Sequence, residues 1–343
     1  MKKTLLVLMV VLLAAMLIVS CDGSSKEPKS ETPTTPTTPA EPTPSTYMVT
    51  FRLGESSSTG SAFDAQEIVE GEKAQKPLTN PIATDKYKTF DFWSADGTTE
   101  FKFDETPITK DIVLQAVYRD YEVGDTGPAG GKIFYVATTE QTSSYVDSNG
   151  TTQTYGWKCL EAAPEDLTAN IGGDPSPTIV FGYFVTLDAT ANTYRAQVAT
   201  SENNASDGSG ANAAIGQGRY NTTALVQKTG GTWATNSTGS PYPTSNYAAK
   251  LCTSYEGGGY KDWFLPSLNE LKELYNAYAA DKVGGTWHTR YSSSSTASDN
   301  EYYWSSSEYD ANSAWAVCFG NNGSIGGNPR DDGNSYVRPV RAF

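Results

Sequence analysis

Histidine is nearly absent from this chain. The single copy, His288, leaves no residues for a histidine-based metal cluster, and no Ser-His-Asp triad or Cys-His pair can be assembled with one to spare. His288 lies in a Gly- and Ser-rich stretch and reads as a solvated loop residue. Cysteine is scarce as well, with four copies and no CxxC, so neither a disulfide-dense scaffold nor a thioredoxin-type redox motif is present. Cations are outnumbered, with 25 Lys and Arg against 39 Asp and Glu, for a formal charge of −14. That balance argues against nucleic acid or anionic lipid headgroups as broad partners, because their phosphates reward Lys and Arg. Long apolar runs are limited to one, Leu5 to Val19, so several membrane spans are excluded. A collagen-like Gly-X-Y period is also missing, since Gly127-Pro128-Ala129 mimics it only once.

What is present begins with that apolar run. Lys2 and Lys3 precede it and Ser20-Cys21 close it, the order of a basic region, a hydrophobic region and a small residue at a cut site. Residues 1–20 read as a secretory signal, and Ile18-Val19-Ser20-Cys21 resembles a bacterial lipobox, which implies lipidation of Cys21 and anchoring to a membrane through an N-terminal lipid. An uncleaved anchor helix is the alternative, and either ties the protein to the cell envelope, exposed outside the cytoplasm. Removing Lys2 and Lys3 would shift the formal charge from −14 to −16, because no acidic residue precedes Cys21. Residues 21–46 are rich in Pro, Thr, Ser and Glu without apolar periodicity and read as a semi-extended spacer. Lipidation would leave Cys159, Cys252 and Cys318, which allow at most one disulfide and one remaining thiol.

The best-defined local structure is Gly257 to Tyr278. Ser267 with Glu270 three residues on fits a capping box, Pro266 marks the boundary, and Leu268, Leu271, Leu274, Tyr275 and Tyr278 form one apolar stripe. Ser245 to Tyr255 reads as a partner helix with Ser245 as its cap. Around this pair, 131–137 (GKIFYVA) and 155–164 read as strands, as do YYWSSS from Tyr302, SAWAVCF from Ser313 and the chain end from Ser335, where Pro339 favours an edge or bulge. Asp166 to Thr244 is Gly-, Ser-, Thr- and Asn-rich and shows no hydrophobic period long enough for an element, apart from the apolar stretch Ile179 to Leu187.

Before that lies a smaller unit, residues 47–119, with four strand patterns: YMVTFRL, KTFDFWS, EFKFDETPI and DIVLQAVY. The second and third are separated by an Asp96-Gly97 turn, and the set predicts a small antiparallel sheet. Val49-Thr50-Phe51, Gly71, Pro77, Phe92-Trp93, Phe103, Pro107-Ile108-Thr109 and Asp111-Ile112 through Leu114, Ala116 and Tyr118 resemble the internalin B-type repeat, a β-grasp-like module of bacterial surface proteins. The resemblance implies a presenting or stalk role. Glu55 to Ala62 is longer and more Ser-rich than in that family.

Residues 120–343 resemble a second family. Gly124-Asp125, Gly130-Gly131-Lys132-Ile133, Gly156-Trp157, Gly258-Gly259-Tyr260, Asp262 through Ser267, Glu270-Leu271, Tyr303 through Ser307, Trp315 and Val337 through Arg341 are together similar to the Lcl-type C-terminal domain. That family is related to the formylglycine-generating-enzyme version of the C-type-lectin fold. The implied class is α+β: a small antiparallel β-grasp-like module followed by a C-type-lectin-like domain with two helices and a small twisted antiparallel sheet. The enzyme relative's reactive cysteine pair has no counterpart here, so the resemblance implies binding without a cofactor: an adhesin-type domain for a glycan or an extracellular protein. A structural lipoprotein and a cysteine-dependent envelope enzyme are the alternatives.

Candidate ligand-binding residues follow from the loops around 308–312 and 320–336, dense in Asn, Ser, Gly, Asp and Tyr, which supply adaptable hydrogen bonds and rigid aromatic contact. They are Tyr309, Asn312, Asn321, Asn322, Asp331, Asp332, Asn334 and Tyr336, with Trp304 and Trp315, for which a core role is the competing reading. Such loops resemble the variable face of diversity-generating target proteins that share the fold. Asp331-Asp332 beside Asn334 also offers hard oxygen ligands, which makes calcium the one ion to consider, although the EF-hand spacing is absent.

Overall fold

A computed structural model describes residues 43–54, 63–171, 174–182, 210–228, 246–288, 301–310, 313–330 and 335–343. Ser45–Phe343 forms one compact unit. Among the described residues no helix is long and apolar enough to cross a membrane.

The first four strands, β1 (Thr46–Arg52), β2 (Gln66–Val69), β3 (Lys88–Ser94) and β4 (Ile112–Asp120), make one sheet in the order β2-β1-β4-β3. The purely antiparallel sheet expected from the sequence is corrected here, because β1 and β4 run parallel through Val49–Ile112 and Phe51–Leu114. Alternation sends Val49, Phe51, Phe90, Leu114 and Ala116 into one apolar cluster. Phe101 and Phe103 join that cluster without forming a strand: the segment makes isolated bridges, Glu100 to Ser94 and Pro107 to Lys73, with a turn at Asp104 between them. The fourth strand is instead β2, whose short half-polar sequence QEIV carries little periodic signal. Trp93 is a core residue, with its ring edge-on to Phe51 at 5.0 Å.

The long hairpin of β5 (Lys132–Val146) and β6 (Thr152–Ala162) pairs antiparallel with the closing strand β13 (Val340–Ala342), giving the order β13-β6-β5. A short hairpin, β7 (Ala169–Ile171) with β8 (Asp174–Ser176), follows. The chain end is locked in place, since Lys158 and Cys159 both donate N–H groups to the Phe343 carbonyl. The small sheet docks on this hairpin through Tyr87 Oη to Glu140 at 2.6 Å, Lys86 Nζ to the Gly156 carbonyl at 2.9 Å, and Tyr121 edge-on to Phe343 at 5.5 Å.

Among the described residues three α-helices follow, α1 (Gly218–Lys228), α2 (Ala248–Ser254) and α3 (Leu268–Ala279), where two were expected. α3 starts at the anticipated capping box, with the Glu270 N–H on Ser267 Oγ and the Ser267 N–H on Glu270 Oε2. α2 starts later than expected: its N-cap is Tyr247, and Ser245 lies outside the described residues. α1 falls inside the stretch read as lacking regular structure. Gly, Asn and two Thr make GRYNTTALVQK a poor helix former, so tertiary contacts hold it. Asn221 Nδ2 donates to the Asn212 carbonyl at 2.7 Å, Thr222 Oγ1 accepts the Leu265 N–H at 3.0 Å, and Leu225 is buried.

The remaining sheet has β9 (Tyr302–Glu308) and β10 (Ser313–Cys318) at its centre, flanked by β11 (Ser324–Pro329) and β12 (Ser335–Tyr336). β12 runs parallel to β9, which corrects the expected all-antiparallel arrangement. β10 alternates as read from the sequence, yet both of its faces are buried. Trp315, Val317 and Phe319 enter one core with Leu268, Leu271 and Leu274, while Ala314 and Ala316 enter a second core with Trp304, Leu265 and Cys252. The sheet is therefore the partition between two cores, and each fully buried Leu or Val contributes about 1.5–3 kcal/mol of transfer free energy.

Candidate functional site

The sequence candidates near the chain end separate into three groups. Trp304 is fully buried and donates its ring N–H to the Ile179 carbonyl at 2.7 Å, and Trp315 is covered by Tyr309, which meets it edge-on at 4.7 Å. Both tryptophans shape the fold from beneath. Tyr309, Asn321, Asn322 and Tyr336 retain some exposure, but each has a local task. Asn321 and Asn322 build the β10–β11 turn, where Asn322 has φ of 49° and Gly323 donates to the Cys318 carbonyl. Tyr336 stacks on His288 with ring centroids 3.6 Å apart. Asn312, Asp331, Asp332 and Asn334 lie outside the described residues, as does Cys21. Among the described residues, no group of three or more His, Cys, Asp or Glu side chains is placed to hold a metal ion.

His288 lies in a loop, as anticipated, but it is half-buried and not fully solvated. Besides the Tyr336 stack, its Nε2 lies 3.6 Å from Asp166 Oδ2, and its backbone N–H donates to Tyr303 Oη. Asp166 also binds Arg338, whose guanidinium lies 3.9 Å over the Trp287 ring. Burial, followed by the Asp166 charge, pushes the Tyr303 phenol up.

The three cysteines of the folded region are free and buried. Burial pushes the Cys159 thiol up to about 12, pushes Cys252 well above its ordinary value, and also raises Cys318. At neutral pH each stays a thiol, not the thiolate that nucleophilic or redox chemistry requires.

A cleft of about 410 Å³ lies where β5, α1, α2 and the loop before α3 converge. Its position depends on Glu270. This buried carboxylate accepts N–H groups from Gly216 at 2.8 Å and Gly218 at 3.4 Å, in addition to Ser267, so it fixes the start of α1 against α3. Gly218 has to be glycine, because a Cβ there would sit 2.2 Å from Glu270 Oε2 and 2.8 Å from the backbone nitrogen of Ser267. The next residue is Arg219. Its guanidinium lies 3.8 Å over the Tyr145 ring and 4.9 Å from the Tyr155 ring, and Gln227 on the same helix donates to the Val146 carbonyl, holding the hairpin tip to α1.

The charges lining this cleft are unequally committed. Asp147 accepts from the N–H groups of Asn149 and Thr151 and from Gln153 Nε2, and the Thr151 bond leads the effects that lower its carboxyl. Asp262 accepts from both Arg341 Nε at 3.0 Å and Arg341 Nη2 at 3.1 Å. Lys261 pairs with Glu256 at 3.0 Å. Arg219 and Lys250 have no carboxylate partner among the described residues. In a chain of net charge −14, the cleft thus holds two cations without a carboxylate partner among the described residues, beside Asp147, which is bound by neutral donors.

Residues 222–341 match the Lcl C-terminal domain. No curated protein matches the chain. The Lcl C-terminal domain match begins within α1 and takes in α2, α3 and β9–β12, ending in β13, so it contains Lys250 and Lys261. Arg219 and Tyr145 lie outside it, and the cleft is thus completed by residues that precede the matched region. No sequence signal pointed to it. Tyr145, Arg219, Lys250 and Asp262 come from four separate segments, and the stretch holding Arg219 read as irregular.

Proposed function

We propose that this chain is a lipid-anchored protein of the bacterial cell envelope whose Lcl-type domain binds an extracellular ligand and performs no catalysis. The cleft carries the reading: it gathers an aromatic-stacked guanidinium and a lysine, neither paired to a carboxylate among the described residues, while the three thiols are buried and held protonated. The lipobox-like Cys21 and the Pro- and Thr-rich spacer supply the anchor, and the small β sheet, which resembles an internalin B-type repeat, acts as the presenting module. A C-type-lectin-like fold accords with the paired helices beside mixed short sheets, and that fold family places ligands on irregular surface segments. The ligand is a glycan or an extracellular protein.

Screening the Ser45–Phe343 unit against glycan and matrix-protein arrays, with and without calcium, tests the reading. The expected result is saturable binding to at least one array component, retained when Cys159, Cys252 and Cys318 are all replaced by Ala or Ser in a variant that stays folded. A folded protein that binds nothing, or an activity that disappears with one cysteine, would overturn it.

A further inference from the structure

We infer that the α1–β5 cleft recognises an organic monocarboxylate carrying an apolar body, with Arg219 as the carboxylate-binding residue and Lys250 as its supporting charge. The inference rests on the reading of this chain as a binding protein and names the ligand class of that site.

Arg219 is held but not spent. A guanidinium spends its fixed fork of donors on a planar anion when one is within reach, and it stacks on aromatic faces without losing its edge. The Arg219 guanidinium lies over the Tyr145 ring at 3.8 Å and over the Tyr155 ring at 4.9 Å, so two aromatic rings hold it in place. Its edge has no acceptor among the described residues, although Asp147 and Asp262 line the same cleft. Those two acids are held by Gln153 and the 149–151 turn, and by Arg341, so they are turned to structural use. The guanidinium is therefore pre-positioned and left with donors to spare.

The charges of the lining point to a small anion. Arg219 and Lys250 have no carboxylate partner among the described residues, Lys261 pairs with Glu256, and Asp262 shares Arg341 with Glu161. One or two free positive charges beside two fixed carboxylates suit a singly charged anion. A polyanion would meet those carboxylates and the surrounding negative charge, where like charges repel. The walls supply the rest of the fit. Tyr145, Val146, Val226 and Trp263 give the cleft an apolar side, and its volume of about 410 Å³ admits a ligand with a hydrocarbon or aromatic body.

The test uses the full chain in mild detergent and isothermal titration with three probes: 3-phenylpropionate, its neutral amide 3-phenylpropionamide, and inorganic sulfate. The expected result is saturable binding of the carboxylate, with the amide weaker by about tenfold or more because it cannot accept charge-assisted bonds. Arg219→Gln should bring carboxylate binding down to the amide level while the far-ultraviolet circular dichroism stays unchanged. Arg219→Lys, which keeps the charge but loses the fork, should fall between. Equal binding of acid and amide, no binding of the acid, or sulfate competing as well as the acid would each overturn the assignment. An array ligand that binds Arg219→Gln as tightly as the unaltered protein would refute the cleft assignment and leave the binding-protein reading standing.

Discussion

The carboxylate of Glu270 on α3 accepts the N–H of Gly216 at 2.8 Å, and this bond fixes where α1 begins and so where Arg219 lies. Burial pushes the Glu270 carboxyl up to about 7, against the N–H bonds from Ser267, Gly216 and Gly218 that favour its charged form. Between its ordinary value and about 7 the folded state binds a proton that the unfolded chain has lost. This group therefore makes folding progressively less favourable as pH rises through that window, by at most about 1.4 kcal/mol per pH unit. Thermal midpoints of the unaltered protein and Glu270→Gln, measured from pH 4.5 to 8, should differ in slope, with the variant lacking this fall. At pH 5 the Glu270 carboxyl is protonated and itself carries an O–H among the backbone donors, so the amide replaces it closely and the two midpoints should lie near one another there, separating as pH rises. Parallel curves would contradict the assignment.

Arg330 and Glu308 form a pair that is almost wholly buried, 2.6 Å apart. Removing one partner of such a pair leaves the other charge stranded, which costs about 3–5 kcal/mol. Glu308→Ala should show that loss in urea denaturation. The double variant Glu308→Ala with Arg330→Met should be more stable than Glu308→Ala alone, since neither charge then remains uncompensated.

Two adjacent glycines separate a steric contact from a backbone cost. Gly258 has φ of +63°, and a Cβ there would fall 2.3 Å from the Ala129 carbonyl oxygen; Gly259 has φ of +81° with open space around it. Both alanine substitutions incur the left-handed backbone cost of about 1–2 kcal/mol. Gly258→Ala should lose about 1–3 kcal/mol more through the clash. Comparing the two by chemical denaturation isolates the contact.

The state of the cysteines is directly measurable. In the Ser45–Phe343 unit, Cys159, Cys252 and Cys318 are all buried and held as thiols. Titration with an aromatic disulfide reagent should find them slow to react under native conditions and all three reactive in urea. A thiol that reacts rapidly in the folded protein would contradict this account and reopen a cysteine-dependent activity.

What could be read from the sequence follows the strength of local signals. α3 was legible because Ser267 and Glu270 cap it and Leu268, Leu271 and Leu274 stripe it, all within one short segment. β10 was legible as a strand, but not as the partition between two cores, because Ala314 and Ala316 are small residues whose burial depends on partners elsewhere in the chain. α1 was hidden for the opposite reason: Asn221 and Thr222 oppose helix locally and are satisfied only by Asn212 and Leu265. His288 read as solvated because its partners Asp166 and Tyr336 are distant in sequence. The cleft was hidden in the same way. Of the candidate binding residues, Trp304 and Trp315 lie where burial had been the competing reading, and Asn321 and Asn322 form a turn.

Ligand binding through the cleft under Arg219 is the central claim. Its most direct test is an equilibrium titration of the array ligand against the unaltered Ser45–Phe343 unit and against Arg219→Gln, in the same buffer and with thermal midpoints recorded. The expected result is an affinity at least about tenfold weaker for Arg219→Gln, with the midpoint lowered by only about 2–4 °C through loss of the two ring contacts. Equal affinities for the two proteins would contradict it.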